Sequence, residues 1–276
     1  MPVERLLITV KTYPTLSKKY GELVCTAAVR EDGSWVRLYP IPFRLLDYTK
    51  RYAKWSWIET ALRKGTRDIR PETHHPVDPQ AIRIAGKIST AFGWRDRRRL
   101  ILERGKVYTS LRQIIDRAHK NQLSLAIFKP SEILDVRFEP CDRDWNSEKV
   151  EHIRKLLDQG RLFEGDDWRT TLQLVRKLPY DTFYIYRDED GKETKQLILD
   201  WEIGQLYWNC LKLSNGDEKG ALDRVRDKLM NELTRTDLHL FLGTTEMYHL
   251  RAPNPWLIVG LFYPPHPEAA QQLELL

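Results

Sequence analysis

Trp35, Arg37 and Tyr39 stand at alternate positions in the run Asp32-Gly33-Ser34-Trp35-Val36-Arg37-Leu38-Tyr39-Pro40. Successive side chains of a strand point to opposite faces, so these three share one face and Val36 and Leu38 the other. Rings interleaved with a guanidinium suit single-stranded nucleic acid, because rings stack on bases while arginine meets phosphate or stacks as well. Lys18, Lys19, Tyr20 and Arg44 fall on the connections at the ends of that strand and extend the same chemistry. Residues 94–99 add the densest cationic cluster, Arg95, Arg97, Arg98 and Arg99 around the acid Asp96, a composition suited to bidentate phosphate contacts. Each feature has a plainer alternative. The aromatic face can pack beneath a helix with Arg37 snorkelling outward, and the arginines can form a solvated surface or meet the acidic half of the chain.

A second set of residues has acid/base chemistry. Residues 67–75, RDIRPETHH, bring Asp68, Glu72 and His74 together with Arg67, Arg70 and His75 in a proline-stiffened loop. Carboxylates beside histidine can act as general acid and base, and an ion-paired structural loop is the alternative. His74 and His75 are adjacent and point opposite ways in extended chain, and no cysteine lies near in sequence, so no metal site is expected. In LDWEIG, Asp200 and Glu202 share one face of what reads as an apolar strand beside Trp201. Such a pair can hold a metal, work as acid and base, or answer arginines from the basic half. Asp181 with Glu193 and Lys195 imitates the D…ExK pattern of a metal-dependent nuclease, but Glu193 falls in a polar hairpin turn where acids and lysines serve solubility. No GxGxxG, P-loop or GxSxG sequence occurs, and no cofactor is expected.

The elements that must position these residues are short strands. RLLITVKTY, ELVCTAAVR and WVRLYP read as three strands, the last two joined by an Asp32-Gly33 hairpin turn. A short helix over residues 43–54, a strand at WSWIETALRKG, an extended loop at TRDIRPETHHPVDP and a strand at AIRIAGKI follow. Residues 94–105 suit a strand or a short helix. Ser110 caps a helix with Leu111, Ile114, Ile115 and Ala118 on one face, and LSLAIFKP and EILDVRFEP are strands. The remainder reads as a helix from Ser147 to Gly160, a hairpin around Asp190-Gly191, an amphipathic helix in EKGALDRVRDKLMNELTRT, and two buried strands at DLHLFLGTT and NPWLIVGLFYPP.

Composition bounds the class. The 276 residues are 41% hydrophobic and 30% charged, which suits a globular chain of one or two domains. No apolar run approaches the roughly 20 residues of a membrane span, and the N-terminus reads as a first strand, not a signal peptide. Cys25, Cys141 and Cys210 are scattered, which favours a reducing cytoplasm. Residues 1–139 hold 27 Lys+Arg against 15 Asp+Glu, whereas residues 140–276 hold 18 against 24. A basic first half, 1–139, and a mildly acidic second half, 140–276, place any polyanion on the first and leave the second as a protein-contact module or a regulator of the binding surface.

The blocks YGELVCTAAVREDGSWVRLYPIPFR, RDIRPETHH, LILDWEIGQLYWNC and LHLFLGTTEMYHLRAPNPWLIVGLFYPP resemble an uncharacterised prokaryotic family labelled dual OB domain-containing protein. The resemblance covers nearly the whole chain and implies two OB-like barrels in tandem, a fold that often binds nucleic acid or oligosaccharide. Together these readings describe a β-rich α+β chain of two small, mainly antiparallel OB-like barrel domains with a few helices. The expected function is binding of single-stranded or structured nucleic acid. A metal-dependent nuclease or nucleotide-processing enzyme using Asp68, Glu72 and His74 or Asp200 and Glu202 is the alternative from another class. A scaffold joining complementary halves is the third.

Overall fold

The computed structural model describes residues 2–17, 21–41, 43, 46, 48–65, 67–158 and 174–266. β1 (Val3–Lys11) is followed by a short hairpin of β2 (Thr15–Ser17) and β3 (Gly21–Leu23), then by β4 (Thr26–Val29), β5 (Trp35–Leu38), β6 (Ser56–Lys64), β7 (Thr73–Pro76) and β8 (Arg83–Lys87). β1, β4, β5, β7 and β6 pair in that order and β6 closes back on β1, making a five-stranded barrel with β8 added beyond β6. Every pairing is antiparallel except β5 with β7. Period-two alternation drives the closure, turning Leu6, Ile8, Val36, Leu38, Ile58 and Leu62 into one interior. The Asp32-Gly33 turn forms as expected, with Gly33 at φ 87, a left-handed conformation that favours glycine.

β7 is a departure from the expected loop. Its prolines impose extended geometry on the residues before them, and that geometry is also a strand's, so Thr73 to Pro76 can pair with β5 and β6. The helix expected over residues 43–54 reduces to one turn of 3-10 helix at Tyr48–Lys50 among the described residues.

After α1 (Ala91–Arg98) come β9 (Val107–Tyr108), α2 (Leu111–His119), β10 (Leu125–Phe128), β11 (Glu132–Pro140), α3 (Ser147–Asp158), β12 (Tyr180–Arg187) and β13 (Glu193–Ile198). They are followed by α4 (Trp201–Leu213), α5 (Glu218–Asp227), β14 (His239–Thr244) and β15 (Trp256–Phe262). The seven strands form one sheet in the order β11-β12-β13-β15-β14-β10-β9. The expected boundary between residues 139 and 140 is therefore corrected. β9, β10 and β11 belong to the second sheet, because β10 pairs with the distant β14 and β11 with β12. The expected pair of barrels is met by one closed barrel and one sheet domain.

Both faces of the second sheet are covered. Leu240, Leu242, Ala126 and Phe128 pack with residues of α2, α4 and α5, while Leu125, Ile127, Phe241, Val259 and Phe262 pack against Leu7, Val10, Ala27 and Val29 of the barrel. This double covering explains why β14 is buried at every position. LDWEIG is not a strand. The Asp200 carboxylate accepts the Glu202 amide proton at 2.8 Å, an N-cap that starts α4 at Trp201. Among the described residues no helix is long and apolar enough to cross a membrane.

Candidate nucleic-acid interface and the domain junction

The alternation around Trp35 is as expected, with Val36 and Leu38 in the barrel interior and Trp35 on the other face. That other face is not open, because the second sheet lies on it. The Trp35 ring meets Phe241 edge-on with centroids 5.5 Å apart. Arg37 is 1% exposed. Its Nη2 donates to the Ser124 carbonyl at 2.7 Å and to the Ser124 hydroxyl at 3.2 Å, and its Nη1 lies 3.3 Å from the Cys25 sulfur. The Ser124 amide and hydroxyl in turn donate to the Glu72 carboxylate. Tyr39 is half-buried beside the Arg70 guanidinium, 5.7 Å from its ring centroid. The expectation of an open binding platform on this strand is corrected: strand periodicity states which side chains share a face, not what covers it. Lys18, Lys19, Tyr20 and Arg44 lie outside the described residues.

The arginine cluster divides. Arg97 is buried with its guanidinium 4.5 Å from the Trp55 ring and 4.8 Å from the Trp94 ring, and burial pulls its pKa down to about 10. Arg98 donates to Asp237 at 2.9 Å and to the Pro265 carbonyl at 3.1 Å, so it serves the junction with the acidic half. Arg95 and Arg99 are exposed. Arg95 lies over the ring of Phe92 at 4.8 Å, and Phe92 itself is 56% exposed. The backbone there is left-handed through Phe92, Gly93 and Trp94, with φ 51, 60 and 65. Bulky residues rarely adopt that conformation. It is held by Trp94, which packs on Trp55, Phe262 and Tyr263.

Upstream, Arg83 and Lys87 of β8 are also exposed. Glu59 pairs in register with both Arg83 and Arg5, and the Arg5 guanidinium lies 4.6 Å from the Trp57 ring on the same outward face. Sequence reasoning passes over Phe92, Trp57, Arg5, Arg83 and Lys87. The alternation of Trp57 with Ile58 is the signal that could have pointed to this face.

The acid/base candidates do not converge on an open site. Asp68 is buried and pairs with Arg70 at 2.5 Å, and Thr73 donates to it at 3.0 Å. Burial opposes the Asp68 charge, but hydrogen bonds from Arg70 outweigh it and hold the carboxyl below its ordinary pKa. Glu72 is taken by Ser124, and the His74 ring meets the Glu72 carbonyl at 2.9 Å. Asp200 and Glu202 answer the basic half, as one alternative anticipates, but through a lysine. The buried Lys54 ammonium donates to Asp200 at 3.2 Å, to Glu202 at 2.9 Å and to the Leu261 carbonyl at 3.2 Å. Burial works against that charge and the fields of Asp200 and Glu202 outweigh it, raising the Lys54 pKa. Nearby Lys11 sits 4.3 Å from the Phe43 ring and 4.8 Å from the Trp201 ring, and burial lowers it to about 8. Glu193 and Lys195 are spent on surface pairs with Arg187 and Glu139. Among the described residues no three His, Cys, Asp or Glu side chains are grouped to hold a metal ion.

Residues 2–103 match the family described as domain of unknown function (DUF8758), and residues 107–276 match the family described as domain of unknown function (DUF8757). The break between the two matches falls where the barrel gives way to the second sheet. Neither description names an OB-fold. A search of curated proteins finds no match.

Proposed function

The chain belongs to the family described as domain of unknown function (DUF8757), a description that assigns no activity, and we propose from its geometry that it binds nucleic acid through the open surface of its barrel domain. The observation that carries this reading is Phe92. An aromatic ring is held out in solvent on a left-handed backbone that packing elsewhere must stabilise, with a guanidinium already lying on its face. That pairing suits a single-stranded base, which stacks on the ring while Arg95 stacks or turns to phosphate. Arg83, Lys87 and Arg99, exposed along the same segment, supply backbone contacts.

Two further facts support it. Residues 1–106 carry 22 Lys+Arg against 11 Asp+Glu, so the basic excess belongs to the barrel itself. A closed five-stranded barrel in which β5 pairs with both β4 and the later β7 fits an OB-like reading of the first domain, and OB-folds commonly bind oligonucleotides. That support is an analogy between folds. The acidic half meets this barrel within the chain, through Asp237 with Arg98 and through Asp200 with Lys54. The testing experiment follows anisotropy of labelled single-stranded DNA and RNA as salt rises from about 50 to about 200 mM, with a gel for cleavage in Mg²⁺. The reading requires binding that weakens steeply with salt and leaves the oligonucleotide intact. Absence of binding at low salt, or turnover, contradicts it.

A further inference from the structure

Where the second sheet closes on the barrel, a cleft of about 210 Å³ remains. Cys25, Arg37, Tyr39 and Arg70 line it from the barrel, and Thr245 and Val259 from the sheet. Two of these residues have unsatisfied donors. The Arg37 Nε and the Thr245 hydroxyl are both buried without a hydrogen-bond partner. Buried donors are nearly always paired, and leaving one unpaired forfeits its hydration without return. The case of Arg37 is sharper because the whole side chain is enclosed and its partners are a carbonyl, a hydroxyl and a thiol sulfur. Of the nearby carboxylates, Asp68 is committed to Arg70 and Glu72 to Ser124, while Glu246 lines the cleft on the side of Arg70 and Tyr39, where its charge is felt. Burial and the neighbouring Arg70 charge both lower the Arg37 pKa, so this guanidinium is held in surroundings that disfavour its charge.

We propose that the cleft binds a small molecule with an oxyanion head, a carboxylate or a phosphate, received by Arg37 and Thr245, with its body against the apolar wall at Leu257 and Val259. The cleft is smaller than the roughly 300 Å³ at which drug-sized sites begin, so the ligand is compact. It is a different site from the exposed segment of residues 83–99, and the proposal stands or falls apart from nucleic-acid binding. Because the two walls belong to different units, an occupant ties the sheet to the barrel and stabilises the fold by mass action.

The test uses the full chain, with calorimetry and thermal melting in inorganic phosphate, benzoate and phenyl phosphate. At least one probe binds and raises the melting temperature in proportion to the logarithm of its concentration. Benzoate alone assigns a carboxylate head, and the other two assign a phosphate. Thr245→Val keeps the side chain's shape and removes only the hydroxyl. By deleting an unpaired buried hydroxyl it holds or raises the ligand-free melting temperature, and it weakens the effective probe about tenfold. Arg37→Met abolishes binding, and Phe92→Asn leaves it intact, which separates this cleft from the nucleic-acid surface. The inference is overturned if none of the three probes binds, or if Thr245→Val binds its probe as tightly as the natural chain.

Discussion

The Arg37 guanidinium and the Ser124 carbonyl, 2.7 Å apart, fasten the outward face of the barrel to the second sheet. The Trp35–Phe241 contact belongs to the same seam. Together they turn the most conspicuous aromatic and basic strand of the sequence into an internal surface.

Trp35→Ala should therefore act on stability. Removing a ring that packs at the junction costs about 3 kcal/mol, the lower end of the range for buried aromatics. Thermal melting reads this directly. A melting temperature equal to the natural chain's, with oligonucleotide binding lost, would return Trp35 to an open platform.

Lys54 and Asp200 make a buried pair, whereas the Glu202 side chain is 53% exposed. Asp200→Ala should cost about 3–5 kcal/mol by stranding the ammonium, while Glu202→Gln should cost less than about 1 kcal/mol. Lys54→Met combined with Asp200→Ala should cost less than the sum of the two alone. Urea unfolding of the set measures the coupling, and strict additivity would show that the pair does not lock the junction.

His249 is fully buried, its ring meeting the Thr244 hydroxyl and the Asn121 side-chain oxygen, each at 2.9 Å. Burial, with the Arg70 and Arg37 charges, lowers its pKa to about 4. The unfolded chain takes up this proton near pH 6.5 and the folded chain does so only near pH 4. The neutral ring's contribution is thus complete above about pH 6.5 and is lost as pH falls towards 4, a total of roughly 3 kcal/mol. Unfolding free energies across that interval should flatten in His249→Gln. An equally steep acid limb in the variant would assign the loss to other groups.

Local chemistry was the legible part of the fold. The Asp32-Gly33 hairpin and the Ser110 cap, whose hydroxyl accepts the Gln113 amide proton, depend on residues within a few positions of one another. The continuous apolar runs of β14 and β15 likewise betray burial on both faces. Pairing of β10 with β14 leaves no such trace, and so the end of the barrel domain was misplaced. The same blindness hid the cover over Trp35 and the lysine that answers Asp200, since both partners come from remote parts of the chain. Phe92 escaped because a left-handed turn at an aromatic residue opposes its intrinsic preference and exists only through the packing of Trp94.

The most direct measurement is single-strand affinity against salt for the natural chain, for Phe92→Asn and for Arg95→Gln combined with Arg99→Gln. Asparagine accepts the left-handed backbone, so Phe92→Asn removes the ring without loss of melting temperature. Its affinity should fall by about 1–3 kcal/mol, the worth of one base–aromatic stack. The double arginine variant should reduce the slope of log K against log salt by about 1.4, two phosphate contacts on a single strand. If both variants bind as the natural chain does, with the same slope, the surface of residues 83–99 is not the nucleic-acid interface.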